Sequence, residues 1–504
     1  MTQLKNHPLS PVVDLPIIPL HISGSSQPIA PDTNLVPLTP PLSTTPIHHY
    51  VSATPDTAKL ACDAASSTFP RWKATAPAYR REILLSVVKL LEKRADEICA
   101  SQTKETGCGE QFSKVNLKGG VEGVKEIAAA TAEIRGVVSQ KGSVEGDADG
   151  KEKAGLTVVV KEAIGVVLVI APWNGAVILP LRALSQAIAA GCTIVFKASE
   201  LCPATHGLLV DCFEEAGLPA GVINVIQSRR SDAAAVVEAI VSHRAVRKVD
   251  FIGSAAVGRQ IGQVCAKYLK PILMELGCKG PAIVLDDADL EKAAKFCALG
   301  AVANHGQLCF STERIIIHKD VYEKFIAILS AIMQRLPPPA VGNAVSKDSA
   351  THAFDVLKDA ETRGAKFIVG GPEYVSELSL KPTIIEGVTR EMRIFDEETF
   401  GPSVSVYRVE SDEEAVEIAN DSKYGLNAAV HSRSWEHAYT IASQLEYGQV
   451  HINHMTLMDS PGQPIQGIKG SGWGQSNSIW GINEFLVEKT VMFHSSQGGF
   501  PFGP

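Results

Sequence analysis

The ten cysteines include no Cys-x-x-Cys pair and no cysteine–histidine group at zinc-finger spacing, so nothing calls for a structural zinc or any other bound metal. Arginine is missing from residues 1–50, where Lys5 is the only basic side chain beside a few histidines and ten of the 29 prolines fall. An Arg-rich transit helix is excluded there, and Pro8, Pro11, Pro16 and Pro19 break any apolar signal core. Residues 1–15 are read as a flexible tail. A basic excess is lacking too: 47 Lys and Arg face 55 Asp and Glu, for a net charge of -8. Such a chain has no general electrostatic reason to bind nucleic acid or an anionic membrane. Long apolar runs are interrupted. Residues 163–181 carry no charge, yet Pro172, Asn174 and Pro180 fall within them, and a spanning helix needs about 20 apolar residues. That stretch reads as a buried strand, a turn and a buried helix. With scattered thiols and no secretory signal, the chain is expected in the cytoplasm.

What is present is alternation. At 504 residues the chain is too long for one core, so two large lobes are expected. Residues 56–100 have helical apolar spacing through Ile83, Leu84, Val87, Leu90 and Leu91. Residues 143–169 turn polar and then β-branched, which predicts a long hairpin leaving the main body. From residue 165 strands (165–170, 193–197, 222–226, 248–252, 272–275) alternate with helices (204–216, 232–242, 256–268). A second alternation has strands at 282–285, 314–317, 366–369, 404–409, 428–430 and 450–453, with helices at 289–304, 321–336, 413–418 and 436–445. Helices between strands imply βαβ units on parallel sheets. The class is α/β, with two doubly wound lobes.

Five motifs carry chemistry. Gly306-Gln307-Leu308-Cys309-Phe310-Ser311 puts one cysteine in a Gly-containing loop; its thiolate would be a nucleophile if local donors or a helix N-terminus favour it, and otherwise it is an inert loop thiol. Ala171-Pro172-Trp173-Asn174 puts an amide after a strand, either as a helix N-cap or as an oxyanion donor. Met274-Glu275-Leu276-Gly277 ends a strand with a carboxylate, a general base or a paired structural group. Phe251-Ile252-Gly253-Ser254-Ala255-Ala256-Val257-Gly258 ends a strand and opens a helix, where glycines let backbone approach a pyrophosphate; the spacing is not the usual GxGxxG. Phe196-Lys197-Ala198-Ser199-Glu200 sits at another strand end, either as an exposed ion pair or as a ribose site whose carboxylate would repel a 2′-phosphate.

Together these motifs resemble the aldehyde dehydrogenase superfamily. Glu397-Glu398-Thr399-Phe400-Gly401-Pro402, Tyr424-Gly425-Leu426 and Lys469-Gly470-Ser471-Gly472-Trp473-Gly474 extend the match to nearly the whole chain, in order. The resemblance implies a Rossmann-like cofactor lobe (16–140 and 165–276), a catalytic lobe (277–460) and a small β oligomerisation element (141–164 and 485–497). It implies that Cys309 attacks an aldehyde, that Asn174 and the Cys309 N–H hold the oxyanion, and that Glu275 activates water. The cofactor is NAD, with NADP possible. Lys197 and Glu200 would face its adenosine ribose, Gly253 and Ser254 the pyrophosphate, Glu398 and Phe400 the nicotinamide ribose. Pro172, Trp173, Ser199, Val257, Gly258 and Leu276 complete the expected cofactor surface. A homodimer or homotetramer follows from the family. Departures are Cys278 where a second glycine is usual, Pro464-Ile465-Gln466-Gly467, and Gln475 where an arginine is common.

The local sequence is similar to the salicylaldehyde, vanillin and benzaldehyde dehydrogenase branch. An aromatic aldehyde is therefore expected, in a pocket of Phe112, Gly175, Ile178, Arg182, Leu308 and Phe310. Gly175 would leave room for a ring and Phe112 would stack on it. Arg182, the only charge between Glu162 and Lys197, needs a partner: a neighbouring carboxylate, or a polar group on the substrate. A CoA-acylating relative, or a non-catalytic binding protein on the same scaffold, is the alternative; keeping Glu275 beside Cys309 and Asn174 argues for water and for catalysis.

Overall fold

Aliphatic runs without polar alternation become strands covered on both faces. Val166–Ile170, Thr193–Lys197 and Ile223–Ile226 are buried throughout. In the computed structural model, which describes residues 15–29, 34–139, 145–146, 152–153 and 156–493, they join Val246–Ile252 and Ile272–Glu275 in one parallel array. Short antiparallel strands close its edges, Gly472–Trp473 on one side and His21–Ile22 on the other. Val166–Ile170 lies between Thr193–Lys197 and Val246–Ile252, so the winding reverses there. The crevice beyond the carboxyl ends of such strands is where a doubly wound sheet binds ligands.

The second sheet runs Lys366–Val369, Thr383–Glu386, Ser403–Val409, Thr312–His318, Gly280–Val284, Asn427–His431 and Gln449–Ile452, parallel except for the first pair. Two α/β lobes result, as expected. A third, antiparallel sheet joins Val137–Ser139, Leu156–Ala163 and Leu486–Phe493. No helix among the described residues is long and apolar enough to cross a membrane.

Several boundaries differ from the sequence reading. Residues 56–100 form parts of three helices, Pro55–Lys73, Pro77–Lys93 and Ala95–Thr106, because prolines at N-terminal helical positions start the first two afresh. A fourth helix, Glu110–Ala130, was not foreseen. The expected 143–169 hairpin is corrected at its end: Val166–Ile170 belongs to the central sheet, whereas Leu156–Ala163 pairs with Leu486–Phe493 in the third sheet. The helix expected over 289–304 stops at Val302, since Asn304 and His305 adopt φ of 51° and 62°. Residues 1–14 of the expected tail, 141–144, 147–151 and 154–155 of the expected oligomerisation hairpin, and 494–497 of its strand lie outside the described residues.

Candidate active site

Strand ends of the first sheet and loops of the second face each other across a cavity of about 600 Å³. Asn174, Glu275 and Cys309 all border it. Nine cysteines are buried and Cys309 alone is partly exposed.

Cys309 follows a left-handed turn. Gly306 has φ 72°, and a Cβ there would lie 2.1 Å from the Gly401 carbonyl oxygen, so only glycine fits. Gln307 fastens the loop. Its Nε2 donates to the Asn304 and Asn343 carbonyls, each at 2.9 Å, its Oε1 accepts from Val345 N at 2.8 Å, and its carbonyl accepts from Asn174 Nδ2 at 3.1 Å. The Cys309 thiol donates to Glu275 Oε1 at 3.4 Å. The hydrogen-bond partner of the sulfur is this carboxylate and not a donor. Burial, then the charges of Glu275 and Glu398, push the thiol well above its ordinary value, so it rests protonated with a carboxylate as its acceptor.

Asn174 is not the cap of the following helix. That helix, Ile178–Ala190, has Val177 at its cap position and no side-chain cap of its own. Asn116, on the Glu110–Ala130 helix, accepts from Val177 N at 3.0 Å and Ile178 N at 3.2 Å instead. An amide nitrogen has two hydrogens, so the bond to Gln307 leaves Asn174 a second one for the cavity. Asn174→Ala is expected to lower kcat by about 10²–10³-fold with little change in KM, read in steady-state assays.

Arg182 has carboxylate partners, the first of the two alternatives. It is 4% exposed, with Nη1 3.1 Å from Glu275 Oε2 and Nη2 3.4 Å from Asp459 Oδ2. Asn477 Nδ2 in turn holds Asp459 Oδ1 at 2.7 Å.

Glu398 and Phe400 reach the cavity on a segment held by a buried pair. Lys279 contacts Glu313, and it also donates to the Glu397 carbonyl at 2.8 Å. Glu313 accepts from Thr399 N at 3.0 Å and Phe400 N at 3.1 Å. Burial, then Glu313, pushes the Glu398 carboxyl up to about 8. Cys278 N donates to it at 2.9 Å. A Cβ at Gly277 would meet Glu398 Oε2 at 2.2 Å, so a larger residue there would displace the Glu398 carboxylate. Cys278 itself is buried and does not border the cavity. Phe400 meets Trp173 edge to face at 6.3 Å.

The family model of the aldehyde dehydrogenase family matches residues 29–491. The chain belongs to the aldehyde dehydrogenase family. It is 37% identical to the vanillin dehydrogenase of Pseudomonas fluorescens over 491 residues, 96% of this chain and 99% of the relative. It is 35% identical to the salicylaldehyde dehydrogenase of Pseudomonas sp. (strain C18) over 471 residues, 92% and 95% of the two chains. Its fold superposes on a crystal structure of a salicylaldehyde dehydrogenase from Pseudomonas putida G7, complexed with salicylaldehyde, with a TM-score of 0.90, 32% identity and coverage of 97% and 100%. The protein is thus an oxidoreductase that oxidises an aldehyde with NAD or NADP.

The cavity of this aldehyde dehydrogenase fits a dinucleotide. Lys197 borders it, is 7% exposed, and makes no hydrogen bond or ion pair with any described residue. Burial pulls its ammonium below the ordinary value, with Glu200 opposing. A buried cation without a partner asks for polar oxygens from a ligand. Ser254 opens the Ala255–Lys267 helix, its Oγ accepting from Val257 N at 3.4 Å, so the helix N-terminus points to the cavity. Pro172, Trp173, Ser199, Glu200, Gly253, Val257 and Leu276 border it as well. Gly258 does not: a Cβ there would strike Leu276 Cδ2 at 2.6 Å, so this glycine serves helix–strand packing.

None of the six residues expected around the aldehyde borders this cavity. Phe310 is 8% exposed and belongs to the core. The room expected beside Gly175 is filled, since a Cβ there would meet Leu179 Cγ at 2.8 Å. Leu179 borders the cavity in its place. Phe112, Ile178 and Leu308 are partly exposed, and Ile178 packs against Gly119 on the helix that carries Phe112. Sequence reasoning also missed Arg230, on a turn, and Asp348 and His352, on the first turns of the Lys347–Thr362 helix, which border the cavity without a recognisable motif.

Proposed function

We propose that this aldehyde dehydrogenase oxidises an aromatic aldehyde, with Cys309 as nucleophile and Glu275 as the base for both half-reactions. The contact that carries this reading is the one between the Cys309 thiol and Glu275 Oε1, at 3.4 Å. Glu275 takes the thiol proton as sulfur adds to the carbonyl carbon. Asn174 Nδ2 and the Cys309 N–H face the resulting oxyanion. The dinucleotide, when bound, supplies the hydride acceptor. A thioester remains on Cys309. Glu275 gives that first proton up to solvent and then removes one from water, which hydrolyses the thioester; the acid is freed and the departing Cys309 thiolate takes a proton back from Glu275. Lys197, Glu200, Gly253, Ser254, Glu398 and Phe400 hold the dinucleotide, and residues 16–140 and 165–276 form its lobe, against a catalytic lobe of 277–460. Glu200 favours NAD over NADP by repelling a 2′-phosphate.

The aromatic substrate is supported by the vanillin and salicylaldehyde dehydrogenases among the relatives, with Phe112, Ile178 and Leu308 as its apolar walls. Arg182 acts on Glu275 and not on the substrate. Measuring kcat/KM for salicylaldehyde, vanillin, benzaldehyde and hexanal, with NAD and with NADP, tests both points. The aromatic aldehydes and NAD are expected to be preferred. Arg182→Leu is expected to lower kcat/KM on all four by a similar factor, on the order of 10–10². A loss confined to the hydroxylated aldehydes would return Arg182 to the pocket.

The protein also forms a homodimer or homotetramer through its third sheet, which leaves Val137, Val138, Leu156, Met492 and Phe493 exposed. Ten cysteines without a disulfide fit the cytoplasm.

A further inference from the structure

Glu275 takes the thiol proton in the first half-reaction and must lose it before it can take one from water in the second. Glu275 is 5% exposed, and its two oxygens face Cys309 and Arg182. The strand register shows where the proton can go. Glu275 is partnered with Ile252 on the neighbouring strand. Paired residues share a face of the sheet, and so do residues two apart on one strand. Asp250 and Lys248 therefore lie on the face of Glu275. The rest of that face is apolar: Val169 and Leu273 flank Asp250, and Val167 flanks Lys248. Three ionisable side chains in line on an apolar face require a reason, because uncompensated buried charge is costly.

The helix above continues the polar line. Gln186 follows Arg182 by one turn, about 5.4 Å, on the same helical face. It is fully buried, and neither its amide oxygen nor its amide nitrogen has a partner. At the far end, Lys248 Nζ lies 2.5 Å from Glu484 Oε2. Both border a second cavity of about 380 Å³, beside Gln475, Trp480 and Asn483. Between the two ends Asp250 is 3% exposed and makes no hydrogen bond or ion pair with any described residue. The charges that face it are Lys248 on its own strand, Glu275 on the next, Arg182 on the helix above, and Glu484. Burial first, then Glu275 and Glu484 against the pull of Lys248 and Arg182, pushes its carboxyl up to about 7, where it both takes and gives a proton near neutral pH.

We infer that Asp250 is a proton relay, carrying the proton of Glu275 to the Lys248–Glu484 pair and so to the second cavity. The O–H bond of the Glu275 carboxyl breaks and the Asp250 carboxylate becomes a carboxyl, the proton crossing a water bound by the Gln186 amide. Asp250 then gives the proton to Glu484 or to water in the second cavity. No electron pair leaves the oxygens involved. The relay rests on Glu275 being the water-activating base.

The test compares wild type with Asp250→Asn, Glu484→Gln and Glu275→Gln, in burst and steady-state formation of reduced dinucleotide across roughly pH 6 to 9. Asp250→Asn is expected to keep the burst within about twofold while kcat falls about tenfold, and to lose the rise of kcat through about pH 7. Glu484→Gln is expected to lower kcat by about threefold with the burst intact. Stability offers a check on folding. A carboxyl raised in the folded state binds more protons there than in the unfolded chain, so stability falls as pH rises from the ordinary carboxylate range through about 7. Asp250→Asn should then unfold at or above the wild-type temperature in mildly alkaline buffer. Wild-type kcat with an unchanged inflection in Asp250→Asn would overturn the relay. If that variant does not fold, unchanged kcat in Glu484→Gln overturns it. Full turnover in Glu275→Gln would remove the base itself, whereas a stalled Glu275→Gln beside an unaffected Asp250→Asn would remove the relay alone.

Discussion

Cys309→Ala is expected to abolish turnover, lowering kcat/KM on the order of 10⁴-fold or more while the dinucleotide still binds. Such a loss corresponds to roughly 5 kcal/mol or more of transition-state stabilisation. The other nine thiols are buried, and burial is the leading reason they stay protonated, as at Cys278 and Cys297. None of them borders the cavity, so none can substitute. The measurement is formation of reduced dinucleotide from an aldehyde, with dinucleotide binding followed separately by thermal shift. Retained turnover would end the reading of this sulfur as the nucleophile.

Glu275→Gln is expected to separate the two halves of the reaction. The amide keeps the shape and a contact to Arg182 but cannot accept a proton from water. One equivalent of reduced dinucleotide per site should form, more slowly than in wild type, and then turnover should stall, with kcat reduced about 10²–10⁴-fold. The thioester that accumulates is visible as the acyl mass increment on the intact protein. The burst itself slows because the Cys309 thiol loses its carboxylate acceptor at 3.4 Å. A variant that lost the burst entirely and accumulated no acyl adduct would show that Glu275 serves only the thiol.

Much of the fold was legible because buried parallel strands need apolar residues on both faces. Thr193–Lys197 and Ile272–Glu275 could be bounded to the residue on that ground alone. The Glu110–Ala130 helix was not legible, and its glycines are the reason. Gly119 and Gly120 lower helix propensity, yet they are where Ile178 and Leu181 come closest, at 2.8 and 2.7 Å from the position a Cβ would take. In the site, strand ends announced themselves: a carboxylate, an amide or a lysine after an aliphatic run. Groups whose role is conferred by a distant partner did not. Asn116 caps a helix it does not belong to, and Glu313, on the strand next to Ser403–Val409, orders the segment of Glu398 and Phe400. Arg182 lay between these cases. A lone charge in an apolar helix demanded a partner, and only the folded chain could choose Glu275 and Asp459. The aldehyde pocket was the weakest reading, because a glycine in the sequence does not reveal that Leu179 folds back over it.

Gln307 binds Asn304, Asn343 and Val345 within the second lobe and the Asn174 amide beside the first sheet. Three of these bonds brace the nucleophile's loop inside one lobe, and the fourth alone spans the two. A swing of one lobe on the other would stretch that fourth bond, and with it the gap between the Asn174 amide and the sulfur.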